Sequence, residues 1–369
     1  MGQPIYLKTD IQDTAMIDRD DIRAAVGAGL LSEAQAASLA ALADSRRGAR
    51  ENLEPGDEPF ELFKGFNEIF IVIGLLILTS GWVAVNSLSA ISEITNIQVK
   101  VGTTAAVGAV ILWALSEYFI RRRRMVAPAI ALSLLWAGNA ATGLTTYFAQ
   151  PFMLGQQDFS SLQLPLALSV VAIGVHWLWF RVPFAMALIA VGVFAWALMV
   201  AANQSGTPRD LSDLFLLSAD GPFALITLAV GGLTFAIAMM FDMSDPHRVT
   251  RRSAQGFWLH VVAAPALVNT VALSLLEGDS DAAYTLLLAG LIGFAVVAIV
   301  IDRRSFLIAA IGYTVTLAAI VFDGEGAAMS VLLLGVFLVF LGAFWARIRA
   351  ALLRPLGAIL PLHKLPPSH

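Results

Sequence analysis

Long apolar runs recur along almost the whole chain, and they restrict its possible folds more than any other feature. Each holds about 20 residues, the length that an α-helix needs to cross the hydrocarbon core of a bilayer. Only 14% of the 369 residues are charged, whereas a typical soluble domain has about 25%. The sequence therefore predicts an all-α, polytopic transmembrane helical bundle of about ten spans. The ten runs are residues 69–87, 99–119, 126–148, 162–180, 182–201, 222–241, 256–276, 282–301, 305–322 and 327–346.

Four consecutive arginines, Arg121, Arg122, Arg123 and Arg124, follow the second run and mark a membrane surface. An arginine at the bilayer centre costs about 2.5–3.5 kcal/mol on the insertion scale, and cytoplasmic loops are enriched in Lys and Arg. If this surface is cytoplasmic, every second later connection must be cytoplasmic too. Those connections carry Arg181, Arg248, Arg251, Arg252, Arg303, Arg304, Arg347, Arg349, Arg354 and Lys364. The intervening connections are acidic, with Glu93, Asp158, Asp210, Asp213, Asp220, Glu277, Asp279, Asp281, Asp323 and Glu325 against only Arg209 and Lys100.

This alternation predicts that both termini are cytoplasmic, and we interpret the arginine run as a topology anchor. The run could also contact anionic lipid headgroups, which attract basic residues by about 1 kcal/mol each near the surface. Glu117 lies one helical turn before Arg121, a spacing that permits an ion pair. The run is short and pressed against the bilayer, so we do not expect nucleic acid as a partner.

Residues 1–58 are the largest polar segment, and we interpret them as a cytoplasmic head and linker. Asp18 and Asp21 favour a helix start, and Gly27 with Gly29 favours its end. Ser32 and Gln35 form the pattern of a capping box, which predicts a second helix to about Asp44. We expect this small helical hairpin to bury Leu39 and Leu42 against Leu30 and Leu31.

The remaining boundaries follow from composition. Residues 45–59 are charged and broken by Pro and Gly, as is typical of a linker. Residues 59–68 place phenylalanines at helical spacing between charges, which predicts an interfacial entry helix. The ten-span domain covers 69–346, and 347–369 form a cytoplasmic tail.

Polar side chains inside the spans are the default sign of function in a membrane protein. No Asp, Glu, Lys or Arg lies in the central third of any predicted span. Neutral polar residues recur at spacings of three or four along the third span, so they share one face: Asn139, Thr142, Thr146 and Gln150. Asn269 lies deep in the seventh span, after Pro265. These residues could form a polar site between the two spans, or they could make ordinary interhelical hydrogen bonds, worth about 0.6 kcal/mol each.

Motifs of catalysis or cofactor binding are absent from the sequence. It has no cysteine, no phosphate-binding glycine loop and no metalloprotease or hydrolase signature. His176 and His260 are single, without a His or carboxylate at metal-ligand spacing, so we expect no metal site. We expect no cofactor and lean against an enzyme. A membrane enzyme would need clustered polar groups, and Asp210, Asp213 and Asp220 lie within one outer loop.

Five short features stand out in the first part of the chain: residues 26–36 (VGAGLLSEAQA), 74–76 (GLL), 81–86 (GWVAVN), a basic turn after the second span, and 147–150 (YFAQ). Over about residues 17–150 they resemble a bacterial family of predicted membrane proteins, the domain of unknown function 2157. Members tend to have Ala-Asn-Trp after the first span, where this chain has Val85-Asn86-Ser87. The resemblance implies a bacterial inner-membrane protein, and it implies no activity or site residues.

Two functions are compatible with these features. The leading hypothesis is a non-enzymatic assembly or envelope-associated factor whose head engages a protein partner, since the chain has a head and lacks catalytic constellations. The alternative is a transporter or channel for a small solute, which would use the polar faces of spans three and seven.

Overall fold

The computed structural model describes residues 19–46, 66–91, 96–150, 153–156, 158–304, 306–307, 310–311, 313–315, 325–357 and 361–366. These residues form helices and connections, without a strand among them, which confirms the all-α polytopic bundle. The helices are α1 (Arg19–Gly27), α2 (Glu33–Arg46), α3 (Phe66–Ile91), α4 (Ile97–Ser116), α5 (Ala127–Phe148), α6 (Met153–Gln156), α7 (Gln163–Phe180), α8 (Ala185–Ser205), α9 (Phe223–Met243), α10 (Arg251–Leu276), α11 (Asp281–Ile301), α12 (Glu325–Ala343) and α13 (Trp345–Leu356).

Eight described helices are long and apolar enough to cross a membrane: α3, α4, α5, α7, α8, α9, α10 and α11. They coincide with the first eight predicted spans, with ends that differ by a few residues and with both ends equal in the third, Val126–Phe148. The ninth predicted span, 305–322, lies largely outside the described residues. The chain is a multi-pass membrane protein.

The tenth predicted span, 327–346, overlaps α12, which together with α13 is apolar enough to form one bent span. Helix α12 stops at Ala343, and the chain bends by 81° into α13. Trp345 and Arg349 of α13 are buried, and Arg349 Nε donates to Ile299 O at the end of α11. The anchoring of these side chains explains why the chain turns here instead of continuing straight into the tail.

The spans pack in two groups that meet at α8. In the first, α5 packs against α3, α4, α7 and α8. In the second, α10 packs against α8, α9 and α11, around a buried apolar cluster that includes Val268, Leu287 and Phe306. Each group leaves long apolar side chains on its outer surface, where lipid can cover them.

One end of the bundle, here called the basic face, carries the turns at residues 123–126, 181–184, 244–250 and 302–304. The first turn of α3 lies there too, because Glu68 accepts hydrogen bonds from the backbone N–H groups of Val126 and Ala127 at 3.3 and 3.0 Å. Residues 59–65 of the predicted entry helix lie outside the described residues, and Phe66 to Glu68 belong to α3 itself.

The head lies at the basic face and begins its second helix as predicted. Ser32 N donates to Gln35 Oε1 at 3.0 Å, and Gln35 N donates to Ser32 Oγ at 3.3 Å, which confirms the capping box. The predicted packing of the head is wrong. Its leucines face outwards, with Leu30 77% and Leu42 55% exposed, and the small side chains of Ala36 and Ala37 are buried instead.

Candidate functional site

A buried ionic cluster joins α9, α10 and the turn after α11 at the basic face. Asp242, in the last turn of α9, accepts from Arg303 Nε at 3.0 Å and from Arg303 Nη2 at 2.5 Å. This is the bidentate geometry in which Arg binds a carboxylate most strongly. Asp242 is 6% and Arg303 1% exposed. We call Asp242, His260, Arg303 and Ser253 the ionic cluster.

The imidazole of the ionic cluster, His260, comes from α10. His260 Nε2 lies 2.9 Å from Asp242 Oδ2, and the imidazole is fully buried. The rings of Phe235 and Phe306 surround it, with centroids 5.4 and 5.9 Å away. His260 Nδ1 has no hydrogen-bond partner within the described residues. The arrangement can therefore hold one proton between imidazole and carboxylate, and a second on Nδ1 would need a new acceptor.

The turn after α11 is shaped to bring Arg303 into this position. Asp302 is the left-handed cap of α11, with φ of 58°, and Arg303 N donates to Ala298 O at 2.9 Å. This six-to-one bond is the Schellman motif of a helix C-terminus. The guanidinium then reaches α10, where Nη2 donates to Ser253 O at 3.0 Å. Burial lowers the pKa of Arg303 to about 9, so the guanidinium is still charged at neutral pH.

Gly256 allows α10 to approach α9 at the ionic cluster. A Cβ on this residue would lie 2.3 Å from Asp242 Oδ1 and 3.2 Å from Ala238 O. Contacts between real Cβ atoms and their neighbours are not this short, so any side chain would displace the carboxylate. Glycine is therefore part of the site, although it contributes no polar group.

A second buried carboxylate, Asp245, organises the turn between α9 and α10. Its oxygens accept from the backbone N–H groups of Val249, Thr250 and Ser253 at 3.1, 2.9 and 3.3 Å. They also accept from Thr250 Oγ1 at 2.7 Å. Since the first N–H groups of a helix lack intrahelical partners, Asp245 satisfies the start of α10.

A second ion pair lies beside the ionic cluster. Arg248 Nη1 lies 3.0 Å from Asp302 Oδ2, and Arg248 Nη2 donates to Asp302 O at 2.6 Å. Trp345 of α13 donates from Nε1 to Asp302 Oδ1 at 2.6 Å. The α9–α10 turn, the α11 cap and α13 are therefore fixed to one another by charge-assisted bonds.

The head docks on this same turn. Arg23 Nε of α1 donates to Val249 O at 3.1 Å. Asp20 lies 3.9 Å from Arg124 in the α4–α5 turn. Burial, and then the charge of Asp245, raises the pKa of Glu33 at the start of α2. The head thus contacts the α9–α10 turn, which joins Asp242 and Ser253 of the ionic cluster.

A second buried histidine lies in the first group of spans. His176 of α7 is fully buried, and its Nε2 lies 3.3 Å from Ser116 Oγ at the end of α4. It stacks on Trp136, with centroids 5.5 Å apart. Its neighbours are aromatic and neutral, so this histidine has no charged partner comparable to Asp242 among the residues that the structure describes.

The predicted polar site divides between the two groups of spans. Asn139 Nδ2 donates to Ala105 O of α4 at 2.9 Å, which is an interhelical hydrogen bond. Thr142 and Gln150 are exposed, and Thr146 is half-buried. Asn269 is half-buried on α10, whose main neighbours are α8, α9 and α11. The structure therefore gives the third and seventh spans different principal neighbours, and a joint role for these residues stays a prediction.

The four arginines of the predicted topology anchor are all exposed at the basic face. The predicted pair is present, with Arg121 Nη1 2.9 Å from Glu117 Oε1. These two residues lie in a π-helical segment, Glu117–Arg122, that continues α4. Such segments are rare and often occur at functional sites.

No family model, no curated protein and no solved structure matches this chain.

The ionic cluster escaped the sequence analysis because its members are far apart in the chain. In the sequence, Asp242 and Asp302 lie at span ends near arginines, and His260 has no carboxylate at metal-ligand spacing on its own helix. The sequence did contain one signal. His260 lies in the second turn of the seventh predicted span, and Asp242 lies at the end of the sixth. Among the described residues, no group of three or more His, Cys, Asp or Glu side chains could hold a metal ion.

Proposed function

We propose that the protein is a non-enzymatic assembly or envelope-associated factor of a bacterial inner membrane, with the basic face and both termini in the cytoplasm. The positive-inside bias supports this orientation. The resemblance to the domain of unknown function 2157 supports the bacterial membrane. In this proposal the head and the basic-face turns form one cytoplasmic surface that receives a protein partner.

The bond from Arg23 to Val249 O carries the proposal, because it fixes the head to the membrane domain. A docked head presents a defined surface that carries exposed leucines. Leu30 is 77% and Leu42 55% exposed. In this proposal Leu30 and Leu42 belong to one apolar patch, since contiguous exposed apolar patches mark interaction sites. The ionic cluster is sealed at the base of this surface and holds the turns in place.

The test is quantitative cross-linking and pull-down from membranes with the intact chain. Leu30→Ser with Leu42→Ser should remove the partner, because the apolar contact is lost while the buried Ala36 and Ala37 are untouched. Ala34→Ser, another exposed position of α2, is the matched control and should keep the partner. An identical set of captured proteins for all variants would contradict the proposal.

Transport of a small solute is the second candidate function. The contact between His260 and Asp242 favours it, because buried carboxylate–histidine pairs in membrane proteins serve as proton relays. In proteoliposomes with a pH gradient, His260→Gln should then abolish solute flux. If transport instead uses the polar faces of spans three and seven, Asn139→Leu with Asn269→Leu should abolish it. Flux unchanged in both variants, or absent in the parent, would exclude this candidate.

A further inference from the structure

Guanidinium groups lie over aromatic rings where α4 and α7 reach the basic face. Arg121 lies 5.2 Å from the Trp179 ring centroid, and Arg181 lies 5.3 Å from that of Trp177. Trp179 Nε1 also donates to Glu117 Oε2 at 3.3 Å. Since Arg121 touches Trp179 and Arg181 follows it by two residues, the ends of the two helices form one cationic and aromatic rim.

Carboxylates balance only part of this charge. Glu117 binds Arg121, and Asp20 of the head lies near Arg124. Within the described residues, the side chains of Arg122, Arg123 and Arg181 have no carboxylate partner. Arg123 Nε donates to the Tyr118 hydroxyl at 3.3 Å. Three exposed guanidiniums therefore remain available to an anion.

The apolar surface beside these charges distinguishes a lipid from a soluble anion. Leu178 and Trp179 are each 55% exposed, and Tyr118 is 43% exposed, on the membrane-facing side of the same helix ends. Tryptophan and tyrosine are enriched at the depth of lipid headgroups. A ligand with a phosphate for the arginines and acyl chains for Leu178 would satisfy both surfaces at once.

We infer that the ends of α4 and α7 form a binding site for the headgroup of an anionic phospholipid, with Arg122, Arg123 and Arg181 as its cationic groups. The π-helical segment of α4 and the left-handed turns at Arg124 and Arg181 hold these side chains at the bilayer surface. The site is independent of the head's partner and of transport.

The experiment uses the purified full chain in neutral detergent and native mass spectrometry with phosphatidylglycerol or phosphatidylcholine of equal acyl chains. The parent should retain phosphatidylglycerol preferentially. Arg122→Gln with Arg181→Gln should weaken this binding about tenfold, since each basic residue near the surface contributes appreciably. The matched control, Arg251→Gln with Arg354→Gln, removes the same charge from two other exposed positions of the basic face and should leave binding unchanged.

Two results would overturn the inference. Equal weakening by both double variants would show that the lipid responds to the overall charge of the basic face. Full displacement of the lipid by millimolar inorganic phosphate would show that the site takes a soluble anion. A folding defect is monitored separately by tryptophan fluorescence, and Arg122→Lys with Arg181→Lys, which keeps the charge, should restore at least half of the preference.

Discussion

Replacing Gly256 with alanine tests whether the ionic cluster holds α9 and α10 together. The new Cβ would lie 2.3 Å from Asp242 Oδ1 and 3.2 Å from Ala238 O. The second atom is backbone and has little freedom to move. The carboxylate must therefore move, and it can do so only by giving up bonds to Arg303 and His260.

The expected loss follows from the burial of these groups. Removing one partner of a buried ion pair destabilises a protein by about 3–5 kcal/mol, because the remaining charge has no compensation. Alanine in a helix interior is about 1 kcal/mol more favourable than glycine. Gly256→Ala should therefore lower the free energy of unfolding by about 2–4 kcal/mol.

The measurement is unfolding in detergent micelles, followed by tryptophan fluorescence. Gly232→Ala, in the middle of α9, is the matched control, because a Cβ there meets no atom within 4 Å. The control should be neutral or stabilised by up to about 1 kcal/mol. Asp242→Asn should destabilise as much as Gly256→Ala, and the double variant should add little, since both changes break the same bonds.

Either of two results would refute this reasoning. Equal stability of the Gly256 and Gly232 variants would mean that the carboxylate can move without cost. Simple additivity in the double variant would mean that Gly256 acts on α9 by a route other than Asp242.

Three further predictions concern the other contacts. Gly143→Ala should cost about 1–3 kcal/mol in the same unfolding assay, because its Cβ would lie 2.3 Å from Ala105 Cβ, whereas Gly138→Ala, which meets nothing within 4 Å, should not. Arg23→Ala should make the head more sensitive to limited proteolysis, because it removes the hydrogen bond to the α9–α10 turn. Burial raises the pKa of Glu33 above its ordinary 4.5, so docking of the head favours the protonated carboxyl. Protection of the head from proteolysis should therefore be greatest below about pH 4.5 and fall as the pH rises through the raised pKa. Glu33→Gln should remove this pH dependence.

The sequence was sufficient to predict the spans because each has to satisfy the bilayer by itself. Hydrocarbon thickness sets the length of a run, and turn charges mark its ends. The same local character explains the confirmed capping box at Ser32 and the confirmed pair of Glu117 and Arg121, which need only residues three or four apart. The bend between α12 and α13 is a different case. The bend after Ala343 depends on Trp345 and Arg349 finding partners near the end of α11, and no local signal in the sequence announces those partners.

The ionic cluster could not be predicted from the sequence, because its prediction requires knowing which helices are neighbours. Asp242 and Arg303 are 61 positions apart, and Gly256 became recognisable as part of the site only once its distance to the carboxylate was known. The packing of the head was predicted wrongly for a related reason. Leucines were expected inside because they gain most from burial, but which face of α2 is covered depends on its neighbours, and the covered face carries Ala36 and Ala37.

The arginines of the basic-face turns occupy positions where the backbone favours glycine. Arg124, Arg181 and Arg248 have φ values of 52°, 55° and 54°. The left-handed region costs an L-residue about 1–2 kcal/mol, whereas glycine enters it freely. Arg248 offsets this cost through its buried pair with Asp302 at 3.0 Å. Arg181 has no carboxylate partner among the described residues, and the exposed contact of Arg124 with Asp20, at 3.9 Å, is worth at most about 1 kcal/mol. Within the described residues the charge of Arg181 meets only the Trp177 ring, at 5.3 Å, so an anionic headgroup bound at the ends of α4 and α7, as inferred above, would supply the missing counter-charge.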